Sequence, residues 1–192
     1  MENLFQHEII LENERARLEP LHMEHIPHLW PIAAHSSLWE HTSAKIKTAN
    51  DFASYMQKAM DEKGTGLSYP FAIYDKEANC FAGSTRFGNI SLPHRRVEIG
   101  WTWYHPSLQR TGLNRSCKAL LLAFGFEKMG FDRIEFKTSL TNTRSQTAIQ
   151  QIGATQEGIL RNHMINDDGN SRDTVYFSIL KHEWPSIKTT KF

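Results

Sequence analysis

Between residues 133 and 140 the chain alternates position by position, with Ile134, Phe136, Thr138 and Leu140 set against Arg133, Glu135, Lys137 and Ser139. A period of two predicts a strand that buries one face. The period changes just upstream. Leu113, Cys117, Leu120, Leu121 and Phe124 fall on one helical stripe, which predicts an amphipathic helix between Gly112 and Gly130, with Gly130 closing it at C′. A second helix is expected over 51–63, capped by Asn50 and stopped by Gly64 and Gly66, with Phe52, Tyr55, Met56, Ala59 and Met60 on its apolar face. A third is expected over 143–152, between a capping Asn142 and Gly153. Residues 15–21 read as a first strand, followed by a helical stretch over about 23–34. Strand-like runs at 69–74, 81–90 and 96–104 suggest an antiparallel meander whose first turn is the polar segment 75–79. Two last strands, 155–165 and 172–180, flank Asn166-Asp167-Asp168-Gly169-Asn170, a hairpin signal. The order β, α, α, β, β, β, α, β, α, β, β describes an α/β protein with a mixed sheet and helices over it.

Composition narrows the function classes more than the fold. The 192 residues suit one domain, since domains run to about 100–200 residues. Lys plus Arg (22) nearly balances Asp plus Glu (21), which removes the basic footprint expected of a domain that binds nucleic acid or a membrane surface. Cys80 and Cys117 have no CxxC spacing, so neither a disulfide scaffold nor a cysteine zinc site is expected. His22, His25 and His28 are spaced by three, yet Pro27 is expected to interrupt their helix and no HExxH pattern is present, so no metal site is expected. Residues 1–14 lack the apolar core of a signal peptide, and no window is apolar enough to span a bilayer. A cytoplasmic protein is the expectation.

The segment from Trp103 through Gly112 to Arg115 joins a strand to the best helix. A strand, a glycine loop and a helix N-terminus together make an anion site, because the first helical N–H groups lack intrahelical acceptors and the helix dipole is positive there. Arg110, Arg115 and Lys118 put cations in or near that turn. Neither GxGxxG nor GxxxxGK[ST] occurs, so the loop is neither a Rossmann fingerprint nor a Walker loop; an ordinary connection with solvated arginines has the same spacing.

Gln109-Arg110-Thr111-Gly112-Leu113-Asn114 resembles the Q/R-x-x-G-x-G/A pyrophosphate loop of GNAT-type N-acetyltransferases. So do Asn142-x-x-Ser145, Ile152-Gly153-Ala154, the 157–161 run Glu-Gly-Ile-Leu-Arg, the 172–180 run from Arg172 to Leu180, and Glu183-Trp184. These pieces are similar to the RimJ/RimL-like branch, the ribosomal-protein N-terminal-amine acetyltransferases. The resemblance spans about residues 15–184. It implies a single-domain GNAT fold over the chain, with a mixed central sheet of about six to seven strands and helices on both faces. It further implies acetyl-coenzyme A as donor, a primary amine on a protein N-terminus or a small molecule as acceptor, and a possible homodimer. By the family's pattern the main-chain amides of Arg110, Thr111, Gly112, Leu113, Asn114 and Arg115 hold the pyrophosphate, with Gln109 opening the motif, and the strand through Trp101, Thr102 and Trp103 pairs with pantetheine. Asn114 departs from the small residue usual at its place, so its side chain must lie away from the pyrophosphate or bond it.

Acetyl transfer to an amine needs a base for the nucleophile and a proton for the leaving thiolate. Glu98, on the strand that enters the loop, is the candidate base; the alternative is a surface carboxylate paired with Arg95 or Arg96. Strict alternation puts Glu98, Gly100, Thr102 and Tyr104 on one face and Val97, Ile99, Trp101 and Trp103 on the other unless a bulge intervenes. Family members place a tyrosine where this chain has Ile149, so Ser145 is the candidate thiolate partner, with helix capping as its alternative. Asn142 either bonds pantetheine, caps its helix, or does both. Tyr176 is a second candidate acid, or else a core or rim tyrosine. Cys117 reads as core. Aromatic side chains such as Trp30, Trp39 and Tyr69, with Glu40, Asp51 and Asp61, are available to an acceptor pocket, although most of the aromatics are expected in the core. A catalytically weak acyl-coenzyme A binding or sensing module fits the same loop.

Overall fold

Residues 7–44, 46–166 and 169–192 are described by a computed structural model; Asp167 and Asp168 of the expected last turn fall outside them. The strands are β1 (Leu11–Glu12), β2 (Ala16–Pro20), β3 (Tyr69–Asp75), β4 (Cys80–Ser91), β5 (Arg96–Tyr104), β6 (Arg133–Ser139), β7 (Thr155–Ile165) and β8 (Ser171–Leu180). They form one eight-stranded sheet in the order β1-β2-β3-β4-β5-β6-β8-β7, one strand more than the upper expectation, because the two-residue β1 pairs with β2. Every neighbouring pair is antiparallel except β5–β6. A parallel pair needs a crossover, and α3 (Leu113–Ala123) supplies it.

Two apolar cores lie on the two faces of this sheet. On one, α1 (Ile26–Ala33) and α2 (Ala49–Gly64) bury Leu29, Phe52 and Met56 with Trp39 and Trp103. On the other, α3 and α4 (Thr143–Gln151) bury Leu113, Leu121 and Ile149 with Val97, Ile134, Phe136 and Phe177. The alternation read at 133–140 is therefore real: Ile134 and Phe136 enter this second core while Glu135 and Lys137 face the other way.

Local chemistry moved several boundaries. The cap of α2 is Thr48 rather than Asn50: its hydroxyl accepts the Asp51 N–H at 3.2 Å while the Asp51 carboxylate accepts the Thr48 N–H at 2.8 Å. The Asp51 carboxylate also accepts the Lys47 N–H at 3.0 Å, and that bond first, with those from Thr48, holds the carboxyl below its usual range. Pro27 stands in the first turn of α1, where the missing N–H costs nothing, so it opens that helix instead of interrupting it. Past Ala123 the chain widens into a π-turn over Phe124–Lys128 before the left-handed Gly130. A fifth helix, α5 (Trp184–Lys191), was not anticipated; it buries Trp184 and Ile187, and the Trp184 indole N–H donates to Glu127 at 2.7 Å.

Candidate active site

The centre of the molecule is an opening between β5 and β6. The two strands pair only at Arg96↔Arg133, Val97↔Ile134 and Glu98↔Glu135, although both run on for several residues. The cause lies on the other edge of β5. Ser84 and Arg86 of β4 face Trp103 and Gly100, so two steps of β4 oppose three of β5, and Trp101 takes a left-handed φ of 50°. That is a β-bulge, which bends the strand that carries it. Past Glu98 the β6-side backbone edge of β5 has no strand partner among the described residues, which makes it a template for an extended amide-bearing ligand.

The bulge also rewrites the facing of side chains. Tyr104 joins Val97 and Ile99 in the α3-side core, Trp103 joins the α1–α2 core, and Thr102 turns toward α3. Strict alternation had placed Thr102 and Tyr104 with Glu98, and Trp103 opposite it. Trp101 lies over Gly88, where a Cβ would meet its indole at 2.2 Å, and under the Arg86 guanidinium.

β5 leads into the glycine loop. Arg110 (φ 65°) and Gly112 (φ 92°) both adopt left-handed conformations, and Gly112 is the N-cap residue of α3. Alternating hands of this kind make successive N–H groups converge. The first backbone bond of α3 is Ser116 N–H to Gly112 C=O. No N–H from Arg110 to Arg115 has an acceptor among the described residues. A Cβ on Gly112 would meet nothing within 4 Å, so the space before these amides is open. Side chains brace the bend rather than fill it. The Gln109 amide donates to the Tyr104 C=O at 3.3 Å and accepts from Arg144 of α4 at 2.9 Å. The Thr111 hydroxyl donates to the Leu108 C=O and accepts from Arg15, which also binds the buried Asp75. The Asn114 side chain turns inward to accept the Tyr104 hydroxyl at 3.2 Å, clear of the open space. Leu113 is buried, so only its N–H faces the bend, while Arg110 and Arg115 are exposed.

Lys118, expected in or near the turn, points away from it into the protein. It is buried, with 6% exposure, and its Nζ donates to Thr102 Oγ1 of β5 at 3.1 Å while lying 5.7 Å from the ring of Phe136 on β6. Burial pushes its pKa down to about 8. Neighbouring Cys117 is fully buried and its thiol is pushed up to about 12, chiefly by burial, as expected for a core cysteine.

Glu98 sits on the opposite face of the same opening. Its Oε2 accepts Lys137 Nζ at 2.7 Å and Asn89 Nδ2 at 2.6 Å. Its Oε1 has no donor among the described residues and lies next to Gly100, at the bulge. Arg95 and Arg96, the partners first considered for it, bind Asp132 and Glu135 instead. Lys137 is two residues past Glu135, so the parallel register puts it beside Glu98; only that register reveals the pairing. Burial lowers the Lys137 pKa, but Glu98 outweighs it and the net shift is upward. The Lys137 ammonium lies 4.9 Å over the Tyr176 ring, and the Tyr176 hydroxyl is 3.5 Å from His163 Nε2. A depression of about 550 Å³ borders this group, lined by Asn89, Ser91, Arg96, Glu135, Lys137 and Tyr176.

Ser145 lies in the first turn of α4, where its N–H donates to the Asn142 side chain at 3.1 Å; its hydroxyl makes no hydrogen bond among the described residues. Asn142 thus caps α4, and Ile149 is buried in the core. Glu98 and Tyr176 are joined through Lys137 on one face, whereas Ser145 belongs to a helix on the other. Of the other residues first considered for an acceptor, Tyr69 and Trp39 are core. His25 bonds Glu19 and the His22 N–H, and the described residues hold no cluster of three metal-ligating side chains.

A bend of free amides beside a half-open parallel strand pair defines a class. Residues 15–155 match the acetyltransferase (GNAT) domain family, and the chain belongs to that family. It is 27% identical to YdaF of Bacillus subtilis (strain 168), named provisionally as a ribosomal N-acetyltransferase, over 60% of this chain and 61% of that protein. The chain thus spans about three-fifths of that relative's length. A crystal structure of a provisionally assigned acetyltransferase from T. thermophilus superposes with a TM-score of 0.85 at 30% identity, covering 94% of this chain and 93% of the other. RimJ of Mycobacterium smegmatis, solved with CoA-disulfide, shares the fold with a TM-score of 0.77 at 22% identity, over 93% of this chain and 88% of that one. GNAT acetyltransferases use acetyl-coenzyme A.

Proposed function

We propose that the protein is an N-acetyltransferase that moves acetyl from acetyl-coenzyme A to a primary amine by direct attack. The observation that carries this reading is the run of unpaired amides from Arg110 to Arg115 at the N-terminus of α3, next to the unpartnered edge of β5. The amides suit a diphosphate, and the β5 backbone from Ile99 through Trp101, Thr102 and Trp103 suits the amide-bearing pantetheine arm. Family membership and the resemblance to YdaF support the same donor.

In this reading the free Oε1 of Glu98 accepts the proton of the attacking ammonium, directly or through water, and the neutral amine attacks the thioester carbonyl. Lys137 and Asn89 hold Oε2 and so fix which oxygen is free. The leaving thiolate is stabilised by a hydrogen bond from the Ser145 hydroxyl, which has no competing bond, and takes up the proton that the nitrogen sheds as the C–N bond forms and the C–S bond breaks. Tyr176, already turned to His163 and stacked on Lys137, is better placed to line the acceptor depression than to reach the sulfur. The acceptor is a protein N-terminal amine or a small-molecule amine entering from the Glu98 face. Two free cysteines, one of them exposed, support a reducing, cytoplasmic setting, and no helix among the described residues is long and apolar enough to cross a membrane.

Calorimetry with acetyl-coenzyme A, followed by a thiol-release assay over peptides with free N-termini and small amines, tests the proposal. Saturable binding and thiol release with one acceptor class are expected. A chain that binds the cofactor but turns over no acceptor is a binding module, and a chain that binds none has lost the assignment.

A further inference from the structure

Lys118 is the feature that the bend, the open strand edge and Glu98 leave unexplained. A lysine ammonium removed from water is costly unless a carboxylate or several acceptors receive it. Lys118 has no carboxylate partner among the described residues and spends one of its three donors, on Thr102. Thr102 lies on β5 four residues past the last β5–β6 pair and Phe136 on β6 one residue past it, and Nζ reaches both side chains, 3.1 Å from Thr102 Oγ1 and 5.7 Å from the Phe136 ring. The Nζ therefore stands between the two diverging strands. At about 1.5 Å of rise per residue, the Lys118 backbone is roughly 8 Å along α3 from Leu113, and its Nζ is held at Thr102 of β5 rather than at the loop amides.

We propose that Lys118 is a cofactor-binding residue that forms the floor of the β5–β6 opening and donates from Nζ to a carbonyl of the pantetheine arm. This rests on the acetyl-coenzyme A reading above and adds to it a side chain outside the loop. An extended ligand on the β5 edge points alternate amide oxygens away from that edge, and a buried ammonium with two unused donors is suited to receive one. The same lysine burdens the empty protein, so its removal should separate folding from binding.

The test compares coenzyme A with adenosine 3′,5′-bisphosphate, which keeps the nucleotide but lacks diphosphate and pantetheine, and with dephosphorylated pantetheine, which keeps only the arm. Lys118→Met is expected to weaken coenzyme A roughly ten- to hundredfold, to abolish detectable pantetheine binding, and to leave the bisphosphate unchanged. The ligand-free Lys118→Met protein is expected to melt at a higher temperature than the wild type. If the Met variant does not fold, Lys118→Gln, which keeps a donor, is expected to lose coenzyme A affinity by a few-fold with the same selectivity. Unchanged coenzyme A affinity in a folded variant, or equal loss for coenzyme A and the bisphosphate, overturns the proposal. Failure of the wild type to bind coenzyme A overturns instead the reading beneath it.

Discussion

Two lysines flank the β5–β6 opening, Lys118 buried and Lys137 half-buried, and they are in opposite states. Lys137, on the Glu98 face, has a carboxylate at 2.7 Å and an upward pKa shift; Lys118, on the α3 face, has only a threonine hydroxyl and is pushed down to about 8. The Glu98 face thus holds a formed ion pair, whereas the α3 face holds unmet donors in both its lysine and its loop amides. A finished ion pair orients a group that must act, and unmet donors wait for a ligand that brings its own acceptors.

The strongest way to break this contrast is at the loop. Gly112→Val puts a branched side chain at φ 92° and into the open space before the amides. It is expected to weaken acetyl-coenzyme A by roughly a hundredfold or more in titration calorimetry while circular dichroism stays native. On the completed face, Glu98→Gln is expected to lower kcat by about two to three orders of magnitude with the acetyl-coenzyme A Kd unchanged; a Kd that rises in step would show that the two faces are not separate.

The next effect is on stability and carries a definite sign. Lys118 has a folded pKa of about 8 against about 10.5 unfolded. Below about 8 both states hold the proton and the burial penalty is full. Between about 8 and 10.5 the folded chain releases a proton that the unfolded chain keeps, so stability rises with pH, by about 3 kcal/mol at most. Denaturant melts of wild type and Lys118→Met at pH 7 and 10 should therefore converge at the higher pH; a constant gap would sink the assignment of that pKa. The smallest effect is one of reactivity. Cys80 is exposed and Cys117 is buried with a raised pKa, so a maleimide should label Cys80 alone in the native protein, as read by mass spectrometry.

Period and punctuation made much of this legible. The amphipathic stripe ahead of Gly130, the alternation from Arg133 and the glycine before the best helix mark the crossover unit and the bend at the start of α3. The bulge was not legible, because nothing in the letters Gly100-Trp101-Thr102 marks a tryptophan held at positive φ; the strain is imposed by pairing with β4. The role of Lys118 was illegible for a related reason: its spacing from Gly112 groups it with the cations in or near the turn, and only its contacts with Thr102 and Phe136 show that it turns toward the two strands. Asn50 suits the cap of α2 by residue type; the reciprocal bonds between Thr48 and Asp51, at N3 from Thr48, start the helix earlier. The short α5 escaped because Trp184 and Ile187 are too few to announce a period.

The clamp from Arg15 to Thr111 and the buried Asp75 joins segments that lie 96 and 60 residues apart in the chain. The amide bend is consequently braced by a residue from the far end of the chain, just ahead of β2, which pairs with β3, and it cannot be excised as a peptide. Coenzyme A should then act as a reporter of completed folding: it can protect only molecules whose two distant segments have met, and a chain that begins after residue 15 should escape its protection.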